Sequence, residues 1–403
     1  MIVFVKPSGP NSKTARSTQL NLPASKAEIL QSLDFAKVPY GSGEYQIQSH
    51  RDSPGFVKKL LNNNENNPTL AEMNHLAERM AQLSEDELHT LGGVMKTFPG
   101  GEFDIADAID ATHNLERFSF YPGVADDYTL GEVAIGGHDG IYPPIAQVPD
   151  ELIDRLDSAK VGELVRCEDG GAFTGNGYVV PESKEWDTVY DRSANAERAV
   201  RLSPDEPIIS LQLRPCDYPE DKSREFRIDL PVTQPTLDAE LSKHGVQDGD
   251  CFIHEAKSVI SALDYALPHC EATVEQVNDL ATAIKVWCMG GGFAKYKAAY
   301  EMETVSGIES AITLAKRLHE YDFEQHPSTE AFGIAAMAKT GADVNLLTEY
   351  GFDFGAYGCK VMDEQNIRFV SYGFISHPRG QTLSMEQTPE PEQKRPIEPT
   401  MSI

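Results

Sequence analysis

The 403 residues carry 35 Lys and Arg against 63 Asp and Glu, a formal net charge of −28 and an isoelectric point near 4.7. A field of that sign opposes direct binding to nucleic acid or to an anionic membrane and favours basic partners. With 40% hydrophobic and 24% charged residues, the composition is that of a globular chain long enough for two or three domains; no run approaches the roughly 18 consecutive apolar residues of a membrane helix.

In chain order, Met1 to Val5 is too short for the core of a signal peptide, so a cytoplasmic location is expected. Leu20-Asn-Leu-Pro23, followed by Ile29 and Leu33, reads as a strand leading into a short helix, and Tyr45 to Ile47 as the next strand. Thr69-x-x-Glu72 is a capping box, in which hydroxyl and acid satisfy amides that a helix leaves unpaired at its start. Leu70, Met73, Leu76, Ala77 and Met80 then recur at helical spacing and face a core. A second box, Ser84-x-x-Glu87, starts a helix carrying Leu88 and Leu91.

These signals return further along the chain. Ile228-Asp-Leu-Pro231 with Leu237 and Leu241 answers to the opening motif at an offset of 208. Thr273-x-x-Gln276 with Val274, Val277, Leu280, Ala281 and Ile284 answers to the first capping box and its stripe. Ala311-Ile312 to Gly333 answers to Ala108-Ile109 to Gly131, and Phe369 with Gly373-Phe-Ile375 answers to Phe173 with Gly177-Tyr-Val179. Matches that keep their order while the offset shrinks to 196 point to two diverged copies of one α+β unit. The divisions expected are 1–181 for unit one, 182–225 as a connecting segment with a strand at 208–213, 226–378 for unit two, and a disordered tail at 379–403. Small α+β subdomains with a helical middle are the expected fold of each unit.

Catalytic spacing is sparse. No Walker loop, H-E-x-x-H, G-x-S-x-G or G-x-G-x-x-G occurs, and the glycine pairs read as turns. The six cysteines show no C-x-x-C spacing, so free thiols are expected, with no metal and no cofactor. Acids are better organised. Thirteen fall between Glu102 and Asp157 against Arg117 and Arg155, and ten between Glu301 and Asp353 against Lys316, Arg317 and Lys339. Asp104, Asp107 and Asp110 recur at three-residue steps opposite Ile105, Ala108 and Ile109, and Asp150, Glu151, Asp154 and Asp157 form a similar edge. The net charge equals the phosphates of about 14 base pairs of duplex.

The ordered series Leu22-Pro-Ala-Ser25, Tyr45-Gln-Ile47, the helix from Thr69, Ser84-Glu-Asp-Glu-Leu88, Asn114-Leu to Tyr121-Pro-Gly123, Asp126-Asp-Tyr128, Val161-Gly162 and Phe173 to Val179 resembles the ArdA antirestriction family. Unit two matches more weakly, through Asn278-Asp-Leu-Ala281, Tyr321-Asp-Phe323 and Phe354 to Ile375. The resemblance implies an elongated, acidic, non-enzymatic α+β protein that mimics DNA and occupies the DNA site of type I restriction-modification enzymes, without a cofactor. The expected phosphate mimics are Asp104, Asp107, Asp110, Glu116, Asp126, Asp127, Glu132, Asp150, Glu151, Asp154, Asp157, Glu320, Asp322 and Glu324. Family members are single units that dimerise, so the tandem is expected to act as a monomeric pseudo-dimer or as a homodimer. Three alternatives stay open: an inhibitor of another defence enzyme such as a CRISPR effector, an enzyme with an unrecognised carboxylate site, and an acidic scaffold for basic proteins.

Overall fold

A computed structural model describes residues 1–8, 16–62, 67–98, 102–136, 145, 147–153, 155–183, 185–195, 200–203, 205–287 and 292–377. The segment 379–403 lies outside the described residues. The fold is mixed α+β, with helices and small antiparallel sheets. Over its described residues the chain separates into two compact units. One holds Met1–Lys6, Ser17–Ser32 and Gly41–Arg201, and the other holds Pro7–Arg16, Leu33–Tyr40 and Leu202–Ile403.

The first series of elements runs β1 (Ile2–Pro7), β2 (Thr18–Asn21), α1 (Lys26–Phe35) and β3 (Tyr45–Ser49), with sheet order β2-β1-β3. Four helices follow: α2 (Gly55–Asn62), α3 (Leu70–Met80), α4 (Glu85–Thr97) and α5 (Ile105–Ala111). Then come β4 (Phe118–Pro122), α6 (Asp127–Gly136), α7 (Asp150–Ile153), α8 (Ser158–Asp169), β5 (Ala172–Phe173) and β6 (Gly177–Pro181), with sheet order β4-β6-β5, before the short α9 (Arg192–Asn195).

The second series has the same order. It runs β7 (Ile209–Pro215), β8 (Phe226–Leu230), α10 (Gln234–Lys243) and β9 (Cys251–Ser258) in the order β8-β7-β9. Helices α11 (Ser261–Ala266), α12 (Val274–Lys285), α13 (Gly292–Glu303) and α14 (Ile308–Arg317) follow. Closing it are β10 (Asp322–Glu324), α15 (Thr329–Lys339), α16 (Val344–Glu349), α17 (Phe354–Gln365), β11 (Arg368–Val370) and β12 (Gly373–Ser376), in the order β10-β12-β11.

Local chemistry sets these boundaries. Thr69 and Glu72, Ser84 and Glu87, and Thr273 and Gln276 all close reciprocal capping boxes at the starts of α3, α4 and α12. Leu70, Met73, Leu76 and Ala77 of α3 are buried, as are Val274, Val277, Leu280, Ala281 and Ile284 of α12. The segment around 187–192 is held by the first unit's helices. Asp187 exchanges two hydrogen bonds with the Asn114 amide, at 2.8 and 2.9 Å, and Arg192 donates to the buried Glu72 at 3.0 Å. Further on, β7 is the central strand of its sheet, pairing antiparallel with β8 and β9.

Two helix pairs are packed through glycine. A Cβ on Gly131 of α6 would stand 1.7 Å from the Ser158 carbonyl, and one on Gly162 of α8 would stand 1.8 Å from the Asp127 carbonyl. In the other unit, a Cβ on Gly333 of α15 would lie 2.0 Å from the Phe354 carbonyl, and one on Gly358 of α17 would lie 2.4 Å from that of Thr329. Only hydrogen in place of a side chain lets these backbones meet. Each pair covers a small core: Val124, Leu130, Ala134, Val161, Val165 and Tyr178 in one, Phe332, Val361 and Phe374 in the other.

Candidate functional site

The candidate acids divide by what holds them. Asp104 caps α5, accepting from the Ala106 and Asp107 amides at 2.8 and 3.0 Å, while Asp107 closes the box by accepting from the Asp104 amide at 2.8 Å. Burial raises the Asp107 carboxyl above its ordinary range, and the neighbouring charges of Asp104 and Asp110 push the same way against that hydrogen bond. Asp110 corrects the expectation of an outward phosphate mimic. It is 3% exposed, and its Oδ1 accepts from the Val189 and Tyr190 amides at 2.9 and 2.8 Å. Three-residue steps on a helix lag a full turn by about 60° each, so the third acid of the row has rotated onto the packed side.

Cations neutralise others. Asp127, at the start of α6, takes a two-point pair from Arg166 of α8 at 2.7 and 3.1 Å, which raises the Arg166 guanidinium. Glu320 is gripped by Arg317 at 3.0 and 2.8 Å, with His377 Nε2 at 3.4 Å. Glu324 meets Lys339 at 2.5 Å and His326 at 3.0 Å. Burial opposes its ionisation, but those two partners outweigh burial and hold the carboxyl below its ordinary value. Glu116 is exposed, 3.8 Å from Arg117, which also faces Glu185 at 3.6 Å and Asp187 at 2.5 Å. These acids are poor stand-ins for phosphates, because a partner's lysine or arginine would have to displace an existing cation.

The remaining acids are displayed. Asp126 is exposed and accepts the Thr129 amide and hydroxyl, each at 2.8 Å, which lowers its pKa. Glu132 of α6 is exposed and takes the Ser158 hydroxyl in a hydrogen bond; Asp157 is exposed and caps α8. Asp322 of β10 is exposed as well. The Asp150 and Glu151 side chains, and Asp154 altogether, lie outside the described residues. Sequence reasoning counted Glu330, Asp343, Glu349 and Asp353 in the second acidic stretch without choosing them as phosphate mimics, and passed over Glu168 of α8 and Asp363 of α17; all six are exposed. Asp353 caps α17 as Asp157 caps α8, and Asp343 caps α16. That repeated Asp before a helix is the signal that picks out Asp343 and Asp353. Among the described residues, none of Asp126, Glu132, Asp157, Glu168, Glu330, Asp343, Glu349, Asp353 and Asp363 has a cation at ion-pair distance.

Separate carboxylates on exposed helical surfaces can accept hydrogen bonds from lysine and arginine. Among the described residues, no group of three or more His, Cys, Asp or Glu is arranged to hold a metal ion, and no helix is long and apolar enough to cross a membrane. No family model and no curated protein matches the chain.

Proposed function

We propose that the chain is a tandem of two diverged ArdA-like units and acts as a DNA-mimic antirestriction protein, occupying the DNA-binding site of a type I restriction-modification enzyme without catalysis or cofactor. The observation that carries this reading is a recurrence. The same strand–three-helix–two-strand module occurs in both units, with sheet orders β4-β6-β5 and β10-β12-β11, and both copies display acids with no cation at ion-pair distance among the described residues. In α6 and α8 these are Glu132 and Glu168, flanked by Asp126 and Asp157; around α15 to α17 they are Glu330, Asp343, Glu349, Asp353 and Asp363. Asp322 joins them, whereas Asp110, Asp127, Glu320 and Glu324 are assigned to holding the fold together.

Charge supports the reading as well, since −28 over one chain provides an attraction that is long-ranged and weakened by salt. The test is cleavage of an unmodified plasmid by a type I restriction enzyme at two salt concentrations, with the protein added before the DNA. Inhibition that is strong at low salt, falls at high salt and is reversed by excess duplex DNA is expected. Inhibition indifferent to both salt and competitor DNA would rule out occupation of the DNA site.

A further inference from the structure

The helix α16 (Val344–Glu349) poses a packing problem. It contains no buried residue, although Val344, Leu346, Leu347 and the following Tyr350 and Phe352 are all apolar or aromatic. Leu346 is 47% exposed and Tyr350 is 80% exposed. A two-turn helix draws little stability from propensity alone and normally rests on an apolar face. Here Val344 and Leu347 are half-buried, while Leu346 and Tyr350 stay open to solvent. The charges around it have one sign: between Thr340 and Cys359 the chain has Asp343, Glu349 and Asp353 and no lysine or arginine. The nearest cations in sequence are occupied, Lys339 by Glu324 at 2.5 Å and Lys360 by Glu364 at 3.7 Å.

We propose that this segment docks an arginine side chain of a basic partner protein, with the exposed Tyr350 ring as the stacking surface and the exposed Glu349, the residue before it, as the carboxylate. An exposed aromatic face with adjacent negative charge suits a guanidinium better than an ammonium. The planar guanidinium stacks on the ring and is weakly hydrated, while its fork of N–H donors reaches an acid. Tyrosine and arginine are also the residues most enriched among those that dominate binding energy at interfaces. Leu346, one helical turn before Tyr350 and itself exposed, adds apolar surface on the same side, whereas the Phe352 ring packs on Phe354 and Tyr357 at 5.0 and 6.0 Å. The proposal rests on the DNA-mimic reading for the kind of partner, an enzyme whose arginines otherwise meet bases and phosphates, but the chemistry of the docking site stands apart from it.

The experiment uses the full chain with ring-labelled tyrosine, the Tyr350 resonance being identified by its loss in Tyr350→Phe. Acetylated triarginine amide and trilysine amide are titrated separately at physiological salt. The Tyr350 ring signal is expected to shift with triarginine and hardly at all with trilysine, and Glu349→Gln should weaken the triarginine titration about threefold. Tyr265 serves as an internal reference, because it is exposed and already stacked on His269 at 4.4 Å. Equal responses of Tyr350 to the two peptides, or equal responses of Tyr350 and Tyr265, would overturn the proposal. So would a concentration-dependent dimer abolished by Tyr350→Ala in sedimentation, which would assign the face to a second copy of the chain. None of these readouts involves a restriction enzyme, so a failure here is separable from a failure of the antirestriction reading.

Discussion

Asp110 gives the sharpest separation between an acid that holds the fold and an acid that meets a partner. Its Oδ1 accepts two backbone amides, from Val189 and Tyr190, at 2.9 and 2.8 Å. Asp110→Ala removes the one oxygen that accepts both and strands two part-buried amide donors. At about 1.5–3 kcal/mol for each hydrogen bond to a charged group, the cost is about 3–6 kcal/mol. With a urea slope of about 2 kcal/mol per molar, the unfolding midpoint of the first unit falls by about 2 M. Asp110→Asn keeps an oxygen in the same place and loses only the charge, so its cost is about 1 kcal/mol. The assay is urea unfolding followed by tryptophan fluorescence, since Trp186 lies one residue before Asp187, the partner of Asn114. Restriction inhibition is measured beside it. Near-full inhibition by the Asn variant and a large loss of stability in the Ala variant are expected. An Asn variant that unfolds normally but no longer inhibits would refute the structural assignment and return Asp110 to the partner-binding set.

Other perturbations test the packing and the pairing. Adding a methyl at Gly162 or Gly358 forces apart helices whose carbonyls are already at 1.8 and 2.4 Å from the new carbon, and each alanine variant should lose about 3 kcal/mol in thermal or urea unfolding. Gly170→Ala, at a left-handed helix end with open space around it, should lose only about 1 kcal/mol. Lys297 and Asp34 form a buried pair at 2.6 Å, burial pushing the lysine down and the acid up while each charge steadies the other. Lys297→Met alone should cost about 3–5 kcal/mol, and adding Asp34→Leu should recover most of it, measured as a double-mutant cycle. Glu324 has a depressed pKa in the folded chain, so its contribution is complete above its unfolded value of 4.5 and is lost as pH falls through the lower folded value. Lys339→Met should therefore flatten the acid limb of stability against pH, as read from melting temperatures.

Much of the fold was legible because it is written in local chemistry. The three capping boxes at Thr69, Ser84 and Thr273 fix helix starts through side chains three residues apart, and the apolar stripes of α3 and α12 are buried as spaced. Other parts depend on what the chain meets after folding. The strand expected at 208–213 is β7, and nothing in its alternation says that it occupies the centre of a sheet rather than an edge. Helix α13 has no single apolar face. Phe293, Ala294, Tyr296, Lys297 and Ala298 are buried together, and a lysine among them reads as surface until Asp34 is found beside it. Gly131 and Gly162 look like helix breakers in sequence and are contact points in space.

For the candidate site, composition revealed the excess of acid but not its use. A carboxylate that caps a helix, accepts buried amides or pairs with arginine has the same letter as one facing solvent. Asp126 and Asp127 are adjacent in sequence, yet the first is exposed with Thr129 as its side-chain partner among the described residues and the second is tied to Arg166. The difference is set by where α8 brings its arginine, which no spacing within α6 encodes.

The most direct measurement of the central claim compares two sets of neutral substitutions in one DNA-competition assay with a type I restriction enzyme. One set removes displayed acids, Asp126→Asn, Glu132→Gln, Asp157→Asn and Glu168→Gln; the other removes paired acids, Asp127→Asn, Glu320→Gln and Glu324→Gln. Loss of inhibition confined to the displayed set, with both proteins folded, is the expected result. Full inhibition by the displayed-acid variant would contradict it, because mimicry cannot survive removal of the charges that stand in for phosphate.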